Sequence, residues 1–128
     1  MKQLLCLAVV AAAVGIGGHQ AAADNDQPKY KIKMIMAKAH KGGPNSLRNK
    51  VLAGKASKDD LNMLVELYEE LGKNTPPKGS KESWKQKTEA VLAAAKKVKA
   101  DPTDKDALKA LSKATTCTAC HDVHREEE

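Results

Sequence analysis

The chain contains no phenylalanine, one tryptophan and two tyrosines, so aromatic side chains make up only 2% of its 128 residues. Large rings supply much of the buried area of a small core, and a domain of this size is already short of buried surface. Some other large apolar group is therefore expected to fill the centre. Beta-branched residues are sparse and no stretch alternates apolar with polar side chains, which argues against a sheet protein. No nucleophile–base pair or proton-handling cluster appears, so the chain is not expected to be an enzyme.

Long apolar sequence is confined to the start. Lys2 gives a short positive beginning, Leu4 to Gly18 is almost unbroken apolar sequence, and Ala21-Ala22-Ala23 offers a small-residue cleavage site before Asp24. That run, about 15 residues, is shorter than the roughly 18 a spanning helix needs. Residues 1–23 are therefore expected to be a cleaved signal peptide rather than a retained anchor, taking Cys6 and His19 with them. One exported domain, residues 24–128, would remain, with no integral membrane segment. Lys2 is the sole charged residue of the leader, so cleavage lowers the formal charge from +6 to +5. A basic domain is drawn to acidic partners or anionic surfaces. Nucleic acid is not the expected partner: the lysines alternate with acids, and only Tyr30, Tyr68 and Trp84 could stack on bases.

Helical spacing organises the remainder. Pro28 opens a first stretch with Tyr30, Ile32, Ile35, Met36 and Ala39 on its apolar side. Gly42-Gly43-Pro44 breaks or kinks it, and the pattern resumes over Leu47, Val51 and Leu52 until Gly54. Ser57 with Asp60 reads as a capping pair, Leu61, Leu64, Val65, Tyr68 and Leu71 follow, and Gly72 is the expected stop. Residues 74–79 form a loop. Ser80 is the expected cap of a third helix carrying Trp84, Thr88, Val91, Leu92, Ala95 and Val98, which ends before Pro102. Thr103 with Asp106 is the expected cap of a fourth, carried by Leu108, Leu111 and Ala114 toward the last two cysteines. The reading is an all-α fold, an antiparallel four-helix bundle. Met63 and Trp84 are expected to pack, and Glu126-Glu127-Glu128 to be a solvated end.

Cys117-Thr118-Ala119-Cys120-His121 carries the chemistry. Two thiols three residues apart on a helical turn face the same way, so each can form a thioether with one vinyl group of a haem. The adjacent His121 then offers a ring nitrogen to the iron. Three alternatives use the same residues. A thioredoxin-like dithiol wants a strand before the motif, whereas this motif follows a helical pattern. A zinc site needs further strong ligands, and beyond the motif only the histidines His40 and His124 remain. A plain disulfide leaves His121 and the missing aromatic core unexplained.

With the residues that follow, Cys117-Thr118-Ala119-Cys120-His121-Asp122-Val123-His124-Arg125 resembles the C-terminal haem motif of the class II cytochromes c, the cytochrome c′ and cytochrome c-556 group. That motif usually reads Cys-x-x-Cys-His-x-x-Phe/Tyr-Arg on the last helix of a four-helix bundle. His124 departs from it by standing where a phenyl or phenol ring is usual. The resemblance implies one covalent haem c held by Cys117, Cys120 and proximal His121, with Arg125 a candidate partner for a propionate. It implies a distal position on the first helix, where a methionine makes a six-coordinate electron carrier and an apolar residue leaves the iron open to nitric oxide or carbon monoxide. Met36 is the expected distal ligand, Met34 and His40 the alternatives. Met36 and His40, four apart, share a helix face. One-electron transfer with acidic redox partners in the periplasm, or otherwise outside the cytoplasm, is the leading expectation. A diatomic-gas binder is the rival, and a homodimer through a helix face is compatible with either.

Overall fold

The computed structural model of the chain describes residues 27–126. The expected signal peptide and Cys6 lie outside the described residues. Six α-helices follow one another: α1 (Ile32–Ala39), α2 (Leu47–Leu52), α3 (Lys58–Lys73), α4 (Lys81–Ala100), α5 (Lys105–Ala114) and α6 (Cys117–His124). A 3-10 turn, Gly43–Asn45, separates α1 from α2. The described residues include no strand, and no helix among them is long and apolar enough to cross a membrane.

The breaks follow from local chemistry. Gly42 and Gly43 take φ values of +111° and +54°, which side chains rarely adopt, so the chain can turn there and Ser46 can cap α2. Ser57 and Asp60 form a reciprocal capping box at the start of α3. Ser80 caps α4 by accepting from the Ser83 N–H. The first helix begins at Ile32 rather than beside Pro28, because residues 29–30 are tied instead to the end of α3. Lys29 N–H donates to the Glu70 carboxylate, and the Asn74 side chain donates to Tyr30 O at 2.9 Å and Glu70 O at 2.7 Å.

Two expected boundaries are corrected. Gly72 does not end α3, which runs on to Lys73. Gly72 lies against α4, and a Cβ added there would be 3.6 Å from Thr88 Oγ1. Asp104, not Thr103, caps α5, its carboxylate accepting from the N–H groups of Asp106 and Ala107. Thr103 is held back by Asp101, whose carboxylate accepts from both its N–H and its hydroxyl.

The helix expected to carry the cysteines is also divided, between α5 and α6. Thr115 and Thr116 return their hydroxyls to the preceding turn, to Leu111 O at 2.7 Å and Lys113 O at 2.9 Å. Threonines that bond back in this way bend helices. Here the bend becomes a break, and Thr116 starts α6.

Helix α3 lies against α4, and α4 against α5, while α1 and α2 pack on α3 and α2 reaches α5. Ile35, Leu64, Leu67, Tyr68, Val98 and Leu111 are the largest fully buried side chains. Each such aliphatic side chain contributes about 1.5–3 kcal/mol by leaving water. The aliphatic core therefore closes around α3 without phenylalanine. Met63, expected to pack, is 38% exposed.

Glu70 is buried beside Lys73, whose ammonium donates at 2.8 Å. That bond above all, with the Lys29 and Tyr30 N–H groups, holds its carboxyl below the usual value of 4.5, and burial opposes the shift only in part. A depressed carboxyl adds stability that is present above pH 4.5 and is lost as pH falls through the lower folded value. In urea titrations, the stability difference between wild type and Glu70→Gln is expected to shrink steadily as pH drops below 4.5. A difference independent of pH would show that the carboxylate is not what holds residues 29–30.

Candidate cofactor-binding site

Helix α6 has little apolar surface to hold it in place. Cys117 and His121 are exposed, Cys120 is half-buried and Val123 is 39% exposed. Only His124 is buried, at 3% exposure. Its Nδ1 lies 2.8 Å from Lys78 O and its Nε2 lies 3.1 Å from Ser83 Oγ. A carbonyl can only accept, so Nδ1–H donates to Lys78 O, while Nε2 pairs with the Ser83 hydroxyl. The same ring meets Trp84 edge-on, with centroids 5.3 Å apart. The imidazole thus packs as an aromatic, and it satisfies a loop carbonyl that a phenyl ring would leave bare. Trp84 packs at the start of α4 as expected, and among the described residues its Nε1–H has no acceptor.

Gly79 makes this arrangement sterically feasible. It has φ +82°, and a Cβ there would fall 2.7 Å from His124 Nδ1 and 2.9 Å from Val123 O. The far end of α6 is otherwise tied by Lys87 Nζ, which donates to Ala119 O at 2.5 Å.

Held in this way, α6 presents Cys117 and Cys120 as free thiols one helical turn apart. Burial pushes the Cys120 thiol up, with the Lys87 ammonium pulling the other way. Beside Cys120 is a mostly apolar hollow of about 450 Å³, within the usual range of roughly 300–1,000 Å³ for small-molecule sites. Alanines make up much of its wall, Ala90, Ala93 and Ala94 of α4, Ala110 and Ala114 of α5, and Ala119 of α6, with Leu71, Thr88 and Val91 beside them. Lys87, Lys97 and Lys113 line it as well. Small side chains on adjoining helices leave room that a flat apolar group could take, with cations at hand for its acidic substituents. The hollow lies beside the aliphatic core, and the centre, expected to be filled by a large apolar group, is filled by aliphatic side chains instead.

The candidate distal residues lie elsewhere. His40, at the end of α1, is half-buried, and its Nε2 lies 3.3 Å from the Tyr68 hydroxyl. Burial above all, then the charges of Arg48 and His121, push its pKa down to about 4. At neutral pH His40 is therefore uncharged, with one ring nitrogen engaged by the Tyr68 hydroxyl. Burial likewise pushes the Tyr68 phenol up. Met36 is half-buried against the core one turn before His40, whereas Met34 is 50% exposed. None of these three lines the hollow at Cys120. Arg125 is exposed at the end of α6. Among the described residues, no three His, Cys, Asp or Glu side chains converge as a metal cage.

One position that shapes the site was not foreseen from sequence: Gly79 carried no signal beyond its loop.

His124→Ala is expected to cost about 2–4 kcal/mol, from a lost core ring and an unpaired buried carbonyl. His124→Phe should cost less, since it keeps the volume. Gly79→Ala should lower stability by about 1–3 kcal/mol through strain and the forced contact. Gly72→Ala, with room for its Cβ, should be neutral or raise stability by up to about 1 kcal/mol. Thermal unfolding of the four variants checks the order. A Gly79→Ala protein as stable as wild type would refute the close approach of loop and helix.

Comparison with protein-family models, with curated proteins and with solved structures found no match to the chain.

Proposed function

We propose that the chain is an exported c-type cytochrome that carries one covalent haem and transfers single electrons. The observation that carries this reading is the pairing of two free thiols and an exposed imidazole on one short helix, next to an alanine-rich hollow. Haem bound there supplies reversible one-electron cycling between ferric and ferrous iron. Cys117 and Cys120 would hold the haem through thioether bonds to its two vinyl groups. His121 supplies the proximal nitrogen. The N-terminal leader supports export, and the basic charge supports acidic redox partners.

The helices are best read as an antiparallel four-helix bundle, with α1–α2 and α5–α6 each forming one interrupted member. The packing of α1 on α3, α3 on α4 and α4 on α5 supports this.

Met36 is the proposed distal donor, because it is half-buried on the face it shares with His40, whereas Met34 is half exposed. A thioether there favours ferrous iron and a higher potential. A second reading, an open iron that binds nitric oxide or carbon monoxide, is favoured by the absence of Met36 from the walls of the hollow.

Two experiments test the proposal. Haem in wild-type protein should resist acid–organic extraction, and a Cys117→Ala, Cys120→Ala variant should release it. Haem leaving the wild-type chain would contradict the attachment. The ferric spectrum should contain a sulfur-to-iron charge-transfer band that Met36→Ala removes. A high-spin spectrum with ready carbon monoxide binding would favour the gas binder instead.

A further inference from the structure

Charge is not spread evenly along the chain. Residues 27–58 hold eight lysines and one arginine and no aspartate or glutamate, whereas from Asp59 onward 14 acids outnumber 12 cations. The alternation of lysines with acids therefore begins only at α3. In the fold, the acid-free segment is α1, the Gly43–Asn45 turn and α2. One of its lysines, Lys29, is drawn into an ion pair with Glu66 at 2.6 Å. Lys31, Lys33, Lys38 and Lys41 are exposed, and among the described residues none of them has a carboxylate within ion-pair distance.

Met34 lies among these lysines. Helical spacing puts Lys31 one turn before it, Lys38 one turn after it and Lys41 a turn further on, along one side of α1. Ile35 and Ala39 face the core instead, both at 0% exposure. Met34 is 50% exposed, the most of the large apolar side chains among the described residues. A single exposed apolar side chain is ordinary. One flanked by unpaired cations has the makeup of a small interface, with an apolar contact inside a charged rim. Methionine also adapts its shape to irregular partner surfaces.

We propose that the outer side of α1, Met34 flanked by Lys31, Lys38 and Lys41, is a docking surface for a protein that presents an acidic patch with an apolar centre. A helix that lies on a membrane buries a broad apolar face, and α1 commits Ile35 and Ala39 to the core, leaving Met34 outside. Single-stranded nucleic acid is held by cations together with rings that stack on its bases. The ring beside α1, Tyr30, is half-buried, and the ammonium groups of Lys29 and Lys38 sit 5.1 and 5.9 Å from its centroid. A patch of this size gives a short-lived, salt-sensitive complex whose encounter rate is set by charge. The inference does not rest on the haem reading; for an electron carrier it names the face that meets the partner.

The test titrates purified protein with three probes: a peptide of aspartates and glutamates interspersed with leucines, vesicles containing phosphatidylglycerol, and a single-stranded oligonucleotide. The same peptide with serine in place of leucine reports the apolar contact. Lys31→Glu, Lys38→Glu, Lys41→Glu is compared with a control of equal net charge, Lys99→Glu, Lys105→Glu, Lys109→Glu, at exposed positions of α4 and α5. Wild type should bind the leucine peptide most tightly, and added salt should weaken that binding. The α1 triple should lose roughly tenfold or more in affinity, and the control much less. Wild type should prefer the leucine to the serine peptide by about threefold, a preference that Met34→Ser removes. If the α1 triple does not fold, the corresponding Lys→Gln triples decide by the same comparison. Equal losses in the two triples, a leucine preference that survives Met34→Ser, tighter binding of vesicles or oligonucleotide, or no binding of the peptide by wild type overturns the proposal.

Discussion

One buried imidazole decides where the last helix lies. Helix α6 has too little apolar surface to find its place by hydrophobic burial, since most of its side chains face outward. His124 substitutes for that missing surface through two directional bonds and an edge-on ring contact with Trp84. Buried polar groups that satisfy one another fix geometry more tightly than greasy contact does. The orientation of Cys117, Cys120 and His121 is inherited from this anchor, three residues beyond His121, and Gly79 is the position that lets the anchor approach.

The alanines of α4 and α5 complement it. They leave the hollow beside Cys120, while the aliphatic core forms around α3. The absence of phenylalanine is thus met in two ways, by branched aliphatics in the centre and by space at the side. The break at Thr115 serves the same end, because it frees α6 from the direction of α5 and offers a hydroxyl to Arg48.

Much of this was legible in sequence, for local reasons. The Ser57–Asp60 box, the Ser80 cap and the Gly42–Gly43 turn involve residues within a few positions of each other, and their side-chain chemistry acts at that range. The cysteine motif was legible for the same reason. What sequence missed depends on contacts across the chain. Arg48 meets Thr115 67 residues away, and His124 meets Lys78 46 residues away. Gly72 was misread because its meaning is set by Thr88 on a neighbouring helix and not by its own flexibility. Thr103 and Asp104 show a closer failure: either could cap α5, and Asp101 decided the matter by engaging the threonine.

The account stands or falls on both thiols of α6 being consumed by one porphyrin. The ferrous pyridine complex of the denatured protein reads this directly, because its α-band moves with each vinyl group converted to a thioether. Protein matured in a host that can attach haem should give the band of a porphyrin with both vinyls saturated, one per chain. A band with intact vinyl groups, or a folded chain with no band and two titratable thiols, would contradict it.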